Sequence, residues 1–281
     1  MSDVPHCYRH PDRETLVSCS ECGRPICEEC MTFAPVGIKC PDHAGAGRPR
    51  HAPQRTVQQA RSRAGRVEAP ATIALVAINV LVYLVTVAQG GGLANPGGPV
   101  FENGALVGVL VADGEWWRLV SAMFLHGSVI HLAFNMLALY WLGSVVEQSM
   151  GTSRFLLVYF ASGLAGSAGA LLMSGAFAVT VGASGAIYGI LGALLVLEYL
   201  STGSFAGPAM GLIVLNLAIT FAIPNVSIGG HLGGLVGGVV STFALAHFAR
   251  HQQRALGPAL VVAVGVASIV VAYVRVENYA F

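Results

Sequence analysis

Two sets of residues in this 281-residue chain have the types and spacing to do chemistry. The first lies at the amino-terminal end, where all six cysteines pair with each other or with histidine at one repeated interval: Cys7-x2-His10, Cys19-x2-Cys22, Cys27-x2-Cys30 and Cys40-x2-His43. Two intervening residues form a tight knuckle that lets both side chains reach one ion, and eight such ligands make two tetrahedral zinc sites. Three disulfides are the alternative, but they need an oxidising compartment and leave the matched His10 and His43 without a role. Spacing does not fix which pairs share an ion. The short gap between Cys22 and Cys27 makes sharing between neighbouring pairs awkward. An interleaved arrangement would put Cys7, His10, Cys27 and Cys30 on one ion, and Cys19, Cys22, Cys40 and His43 on the other.

The second set consists of polar side chains in apolar surroundings: His131 with Asn135, Ser184 within Gly182-Ala183-Ser184-Gly185-Ala186-Ile187-Tyr188-Gly189, and His231. A lone serine in a membrane helix is ordinarily a packing residue that bonds to a carbonyl one turn back. A serine within reach of an imidazole is a candidate nucleophile for acyl transfer. The question is whether the chain brings these residues together.

Composition sets the frame that must do so. The chain is 54% hydrophobic and only 10% charged, against roughly 25% charged in a soluble domain, so it reads as a membrane protein. Most charges precede residue 70 or fall in short connections. Residues 46–70 are rich in Gly, Pro, Gln and Arg, which predicts a flexible linker. Its arginines lack the interleaved aromatics that nucleic-acid binding would use, so no nucleic-acid partner is expected. A positive flank before the first span fits instead, and holds the head and linker in the cytoplasm, where reduced thiols suit zinc. No basic start followed by an apolar core opens the chain, so no cleavable signal peptide is expected. Only Lys39 among the fifteen basic residues is lysine, a bias that suggests a GC-rich bacterial genome.

Seven apolar segments are long enough to cross a bilayer of about 30 Å, at about 71–88, 127–146, 155–174, 183–200, 206–223, 229–248 and 257–274. If the first enters from the cytoplasm, the second, fourth and sixth all run inward from outside. Each carries its polar residue near the entering end, so His131, Asn135, Ser184 and His231 share one layer below the outer surface. Glycines recur every four residues on the sixth span, at Gly230, Gly234 and Gly238 and at Gly229, Gly233 and Gly237, with Gly185 and Gly189 on the fourth. Such ridges allow close helix packing, which would bring His231 to Ser184. Tyr188, four residues beyond Ser184, lies on the same helix face and could orient the imidazole by packing. His131 and Asn135 likewise share a face and suit an oxyanion hole, with the backbone N–H of Ser184 as a third donor. Carboxylates are absent from this layer, so the arrangement predicted is a Ser-His dyad. The loop of residues 89–126 ends in Trp116-Trp117-Arg118, which fits an anchor at the lipid headgroups.

Residues 70–275 resemble the rhomboid intramembrane serine proteases, through Trp117-Arg118, His131-x3-Asn135, Gly182-x-Ser184-Gly185 with Tyr188, and His231 followed by its spaced glycines. The head, with Cys-x2-His-Pro followed by Cys-x2-Cys-Gly-Arg-Pro-Ile-Cys-x2-Cys-Met, resembles a B-box-type zinc finger. The rhomboid resemblance implies Ser184 as nucleophile, His231 as general base and then acid, and His131 and Asn135 as oxyanion-hole side chains. It also implies that His126 and Glu147 are structural, that catalysis uses no cofactor, and that the substrate is a transmembrane protein in the lipid bilayer.

The expected fold is therefore an all-α polytopic membrane protein, a rhomboid-like six-helix bundle plus a seventh C-terminal transmembrane helix, preceded by a small zinc-binding domain. The expected divisions are 1–45 for a head binding two structural Zn2+ ions, 46–70 for the linker, and 71–281 for the protease domain. The site should open toward the extracellular side of the plasma membrane, with the N-terminus cytoplasmic. A second reading is a catalytically inactive rhomboid-like adaptor whose zinc finger recruits a cytoplasmic protein partner. Its mark would be loss of Ser184 or His231, and both are present. A transporter fits less well, since paired intramembrane charges and an inverted repeat are not evident.

Overall fold

The computed structural model describes residues 4–33, 37–44, 69–90, 92–224, 226–253 and 255–279. The chain divides between residues 66 and 67 into two units. The linker expected at 46–70 lies outside the described residues up to residue 68.

The head is built on its cysteines. It has one short antiparallel pair, β1 (Thr32–Phe33) with β2 (Ile38–Lys39), and a core of five buried cysteines around fully buried Ile26. Few apolar residues are available to a unit this small, so its hydrophobic core alone is a weak source of stability. On its surface Asp42 accepts from the Tyr8 phenol and pairs with Arg9 and Arg24.

The second unit is helical. Among the described residues six helices are long and apolar enough to cross a membrane: α1 (Pro70–Gln89), α5 (Val129–Met150), α6 (Thr152–Met173), α7 (Ser184–Thr202), α9 (Ile228–Arg250) and α10 (Leu256–Glu277). The fifth expected span, 206–223, is a fifteen-residue helix, α8 (Pro208–Ala222). At 1.5 Å per residue it reaches only about 22 Å, short of the hydrocarbon thickness. Pro208 starts it, and its C-cap, Ile223, stands just before Pro224. The carboxylate of Glu198, near the end of α7, accepts from the Ala209 amide and ties down its first turn.

Burial on α1 shows the membrane pattern. Thr72, Asn79, Tyr83 and Thr86 face inward, whereas Ile73, Ile78, Leu81, Leu84 and Val85 face out. At its start, Glu147 of α5 accepts from the amides of Ala71 and Thr72 and from the hydroxyls of Thr72 and Thr152. Those amides are orphan donors of a helix N-terminus, where a carboxylate is favourable.

The centre is α6, which packs against α7, α9 and α10. The glycines of α9 form two stripes with different partners. Gly234 and Gly238 lie against the backbone of α7 at Gly185 and Gly189, while Gly229 and Gly233 lie against α6 at Gly169 and Ala165. At each of these positions an added Cβ would overlap a backbone carbonyl of the facing helix. The second interface was not expected from the spacing.

The connection between α1 and α5 is structured. It contains α2 (Gly98–Gly104), β3 (Leu106–Val107), α3 (Gly108–Ala112), α4 (Arg118–Ser121) and a 3-10 turn at Ala122–Phe124. Buried Arg118 fastens it, donating to the carbonyls of Glu102 and Ala105 and pairing with Glu115. Trp117 is exposed and its indole donates to the Asn103 carbonyl, while Trp116 stacks on Tyr273 of α10. β3 pairs antiparallel with β4 (Val179–Thr180), so this connection braces the chain just ahead of Gly182.

Candidate active site and metal centres

Three helices begin at the site, and each presents its polar residue in its first turn: His131 on α5, Ser184 on α7 and His231 on α9. Serine caps set two of these starts. Ser128 accepts from the His131 amide and Ser227 from the Gly230 amide, the role for which serine is favoured at a helix N-terminus. A serine just before an apolar helical run is a recognisable start signal, so both caps are legible in the sequence.

The glycine contact between α7 and α9 brings the two key side chains together. His231 Nε2 lies 2.9 Å from Ser184 Oγ. The phenol ring of Tyr188 stacks on the imidazole, centroids 4.0 Å apart and planes 14° apart, as its place one turn along from Ser184 suggested. His231, Tyr188 and Ala183 are buried.

Gly182 has φ +128°, a conformation open to glycine, and its amide donates to the Ala122 carbonyl. A Cβ at Gly182 would sit 2.8 Å from His131 Nε2 and 3.7 Å from Ser184 Oγ. The missing side chain thus lets the His131 ring pack directly on the Gly182 backbone, beside Ser184. His126, fully buried, packs edge-on against His131 with ring centroids 5.1 Å apart. Asn135 is less directly placed than its spacing suggested. Its Nδ2 donates to the His131 carbonyl at 2.8 Å, and its Oδ1 is buried with no hydrogen-bond partner among the described residues.

One residue near His231 was missed entirely. Thr220 of α8 places its hydroxyl 2.8 Å from His231 Nδ1 and 2.5 Å from the Tyr188 phenol. A threonine in an apolar helix, eleven residues before the histidine, carries no spacing signal that would have singled it out.

In the head the eight ligands gather into two groups, Cys7, His10, Cys27 and Cys30, and Cys19, Cys22, Cys40 and His43, with the ligand atoms of each within 4.8 Å of one another. The grouping is the interleaved one. Both could hold a metal ion, and the distances suit one. With metal–sulfur bonds of about 2.3 Å and metal–nitrogen bonds of about 2.0 Å, a tetrahedron has edges of roughly 3.5–3.8 Å. His10 Nδ1 lies 3.3 and 3.4 Å from Cys27 and Cys30 Sγ, and Cys22 and Cys40 Sγ are 3.8 Å apart. Burial pushes the Cys7 thiol up, but the backbone amides of Cys27, Arg9 and His10 outweigh it and leave it at about 6. Burial and the neighbouring thiols of Cys7 and Cys27 push Cys30 up to about 11. Thiolates this crowded ionise together only around a cation.

A polytopic helical membrane protein with a hydrogen-bonded serine and histidine at the starts of two packed helices is the class that fold and site define. Comparison with known proteins specifies it further. Residues 113–248 match the Rhomboid domain. The chain is 38% identical over 178 residues to rhomboid protease GluP of Bacillus subtilis (strain 168), covering 62% of this chain and 34% of that protein. It is 36% identical over 137 residues to putative rhomboid protease YdcA of the same organism, covering 47% of this chain and 69% of that one. RHOMBOID-like protein 5 of Arabidopsis thaliana is 38% identical over 161 residues, covering 54% and 52% respectively. The chain belongs to the rhomboid family. It spans about a third of the length of the first of these relatives and about half of the third.

Proposed function

We propose that this chain is an intramembrane serine endopeptidase that cuts transmembrane protein substrates within the lipid bilayer. The observation that carries the reading is the hydrogen bond between His231 Nε2 and Ser184 Oγ. Ser184 is the nucleophile and His231 the base. As Ser184 Oγ bonds to the scissile carbonyl carbon, its proton passes to His231 Nε2 and the carbonyl π electrons move onto oxygen. Collapse expels the amine, which takes that proton from the imidazolium, and water then hydrolyses the acyl-enzyme by the same route.

The developing oxyanion needs donors, each contributing about 2.7–4 kcal/mol. The Ser184 amide is one, at a helix start where N–H groups lack intrahelical partners and the dipole favours negative charge. The His131 ring, packed against Gly182 beside Ser184, is the second. Asn135 supplies the proton of its amide that is not engaged with the His131 carbonyl. Tyr188 holds the imidazole plane. The steps use only side chains, backbone and water, with no cofactor. A substrate helix must unwind locally to expose a carbonyl, so helix-breaking residues favour a cut.

In the same reading residues 71–281 form the protease domain and residues 1–45 a B-box-like head holding two structural zinc ions. The protein sits in the bacterial plasma membrane with the head in the cytoplasm, where it meets a protein partner, and the site opens outward. The inactive-adaptor alternative has no observation in its favour. The test is Ser184→Ala in the full chain, reconstituted in liposomes with a model transmembrane substrate. Cleavage is expected to vanish while folding is kept. Undiminished cleavage would overturn the assignment.

A further inference from the structure

His231 has two ring nitrogens, and Ser184 engages only one. The other, Nδ1, faces the Thr220 hydroxyl at 2.8 Å. The Thr220 oxygen makes two further contacts, 2.5 Å to the Tyr188 phenol and 2.8 Å to the Asn216 carbonyl one turn back on α8. Thr220 is buried, as are Tyr188 and His231, so water does not compete for these bonds.

Counting protons resolves the directions. The Asn216 carbonyl can only accept, and Thr220 has one hydroxyl proton to give, which goes there. The two remaining contacts must be donated to the Thr220 oxygen, whose two lone pairs accept from the Tyr188 O–H and from His231 Nδ1–H. With its proton on Nδ1, neutral His231 presents a bare lone pair at Nε2, the nitrogen that faces Ser184 Oγ.

We propose that Thr220 is a positioning residue of the site, a neutral hydroxyl that fixes His231 in the Nδ1–H tautomer and accepts from the imidazolium once it forms. It stands where a carboxylate stands in a triad and does the same orienting work without the charge. The one proton of Thr220 is committed to the Asn216 carbonyl, so the alternative tautomer would leave Nδ1 facing the Thr220 oxygen with no proton between them. The inference rests on His231 as the base of the reaction.

The test uses the full chain in liposomes, with kcat and KM for a model transmembrane substrate measured across pH. Thr220→Val removes the hydroxyl at nearly constant shape, and Thr220→Ser restores it. A lost bond to a charged partner corresponds to about 10- to 100-fold, so Thr220→Val should lower kcat by that factor with KM little changed. Because the bond is stronger to the imidazolium than to neutral imidazole, its loss should also move the acid limb of the kcat profile to lower pH by about half a unit or more. Thr220→Ser should return both to near the parent values. Parent-like kcat and an unmoved acid limb in Thr220→Val, or a serine variant as impaired as the valine one, overturn the proposal. If melting shows that Thr220→Val does not fold, Thr220→Ala, which removes the hydroxyl without adding an atom, is read in its place. Loss of cleavage in Ser184→Ala beside normal kinetics in Thr220→Val rejects this inference alone, whereas retained cleavage in Ser184→Ala rejects the dyad itself.

Discussion

Gly234 of α9 meets Gly185 of α7 backbone to backbone, so that a Cβ on Gly234 would overlap the Gly185 carbonyl oxygen and lie 2.7 Å from its carbonyl carbon. This contact sits one turn from His231 and one residue from Ser184, and it sets the distance between them. Gly234→Ala must therefore push the two helix starts apart. Overpacking of this kind costs about 1–3 kcal/mol, and a shift of about 1 Å in a reacting group can cost about 100-fold in rate. The variant should melt lower in detergent and lose most of its proteolysis. Gly211→Ala is the control. A Cβ there meets nothing within 4 Å, so the substitution should leave both activity and melting near the parent or slightly raise stability.

The sequence made this part of the site legible because polar residues are rare in spans and therefore easy to see, and because three helices running the same way place their first turns in one layer. Serine, histidine and the glycine stripe could be joined from spacing alone. The metal ligands were legible for a similar reason, since a repeated interval of two residues has few other uses. What escaped depends on packing between elements that share no pattern. Thr220 reaches His231 because α8 folds back beside it, and nothing in an apolar helix records which way its one buried threonine points. The Gly229 and Gly233 stripe was visible, but its partner α6 was not. The length of α8 was also hidden, because hydropathy runs past the residues where Pro208 starts it and the chain turns extended at Ile223 before Pro224.

The two ligand groups of the head predict its metal content. The purified full chain should carry about two zinc ions, and Cys40→Ser should reduce this to about one, since each ion has its own four ligands. Removal of both ions should unfold the head, because binding energy is folding energy in a unit with so small a core. The ligands must be deprotonated, so zinc should be released as pH falls. Elemental analysis and the zinc-dependence of protease sensitivity in residues 4–44 check this. Metal-free protein with paired cysteines would overturn it.

Glu147 offers a prediction about stability away from the chemistry. Both its oxygens are engaged, Oε1 by the Ala71 amide and the Thr152 hydroxyl, and Oε2 by the Thr72 amide and hydroxyl. In Glu147→Gln one oxygen becomes an NH2 group, so donors on α1 or α6 would face a donor. Leaving such groups unsatisfied costs about 1–3 kcal/mol. A lower melting temperature is expected, with little change in kcat for the molecules that remain folded. A variant as stable as the parent would show that these bonds contribute nothing net.

Gly182 gives the sharpest separation of the oxyanion site from the dyad. Its φ of +128° disfavours any side chain, and a Cβ there would come within 2.8 Å of His131 Nε2 and 3.7 Å of Ser184 Oγ, so the His131 ring must move. Ser184 and His231 are fixed instead by the α7–α9 glycine contact, which this substitution does not touch. Gly182→Ala should therefore keep the hydrogen-bonded pair while displacing His131 from the oxyanion. Loss of one such donor lowers kcat by about 100- to 1,000-fold, and displacement of His131 should fall in that range. Melting should fall by less than for Gly234→Ala, since one loop residue is strained and no helix interface is opened. Measured kcat within a few fold of the parent would mean that the oxyanion is held without His131.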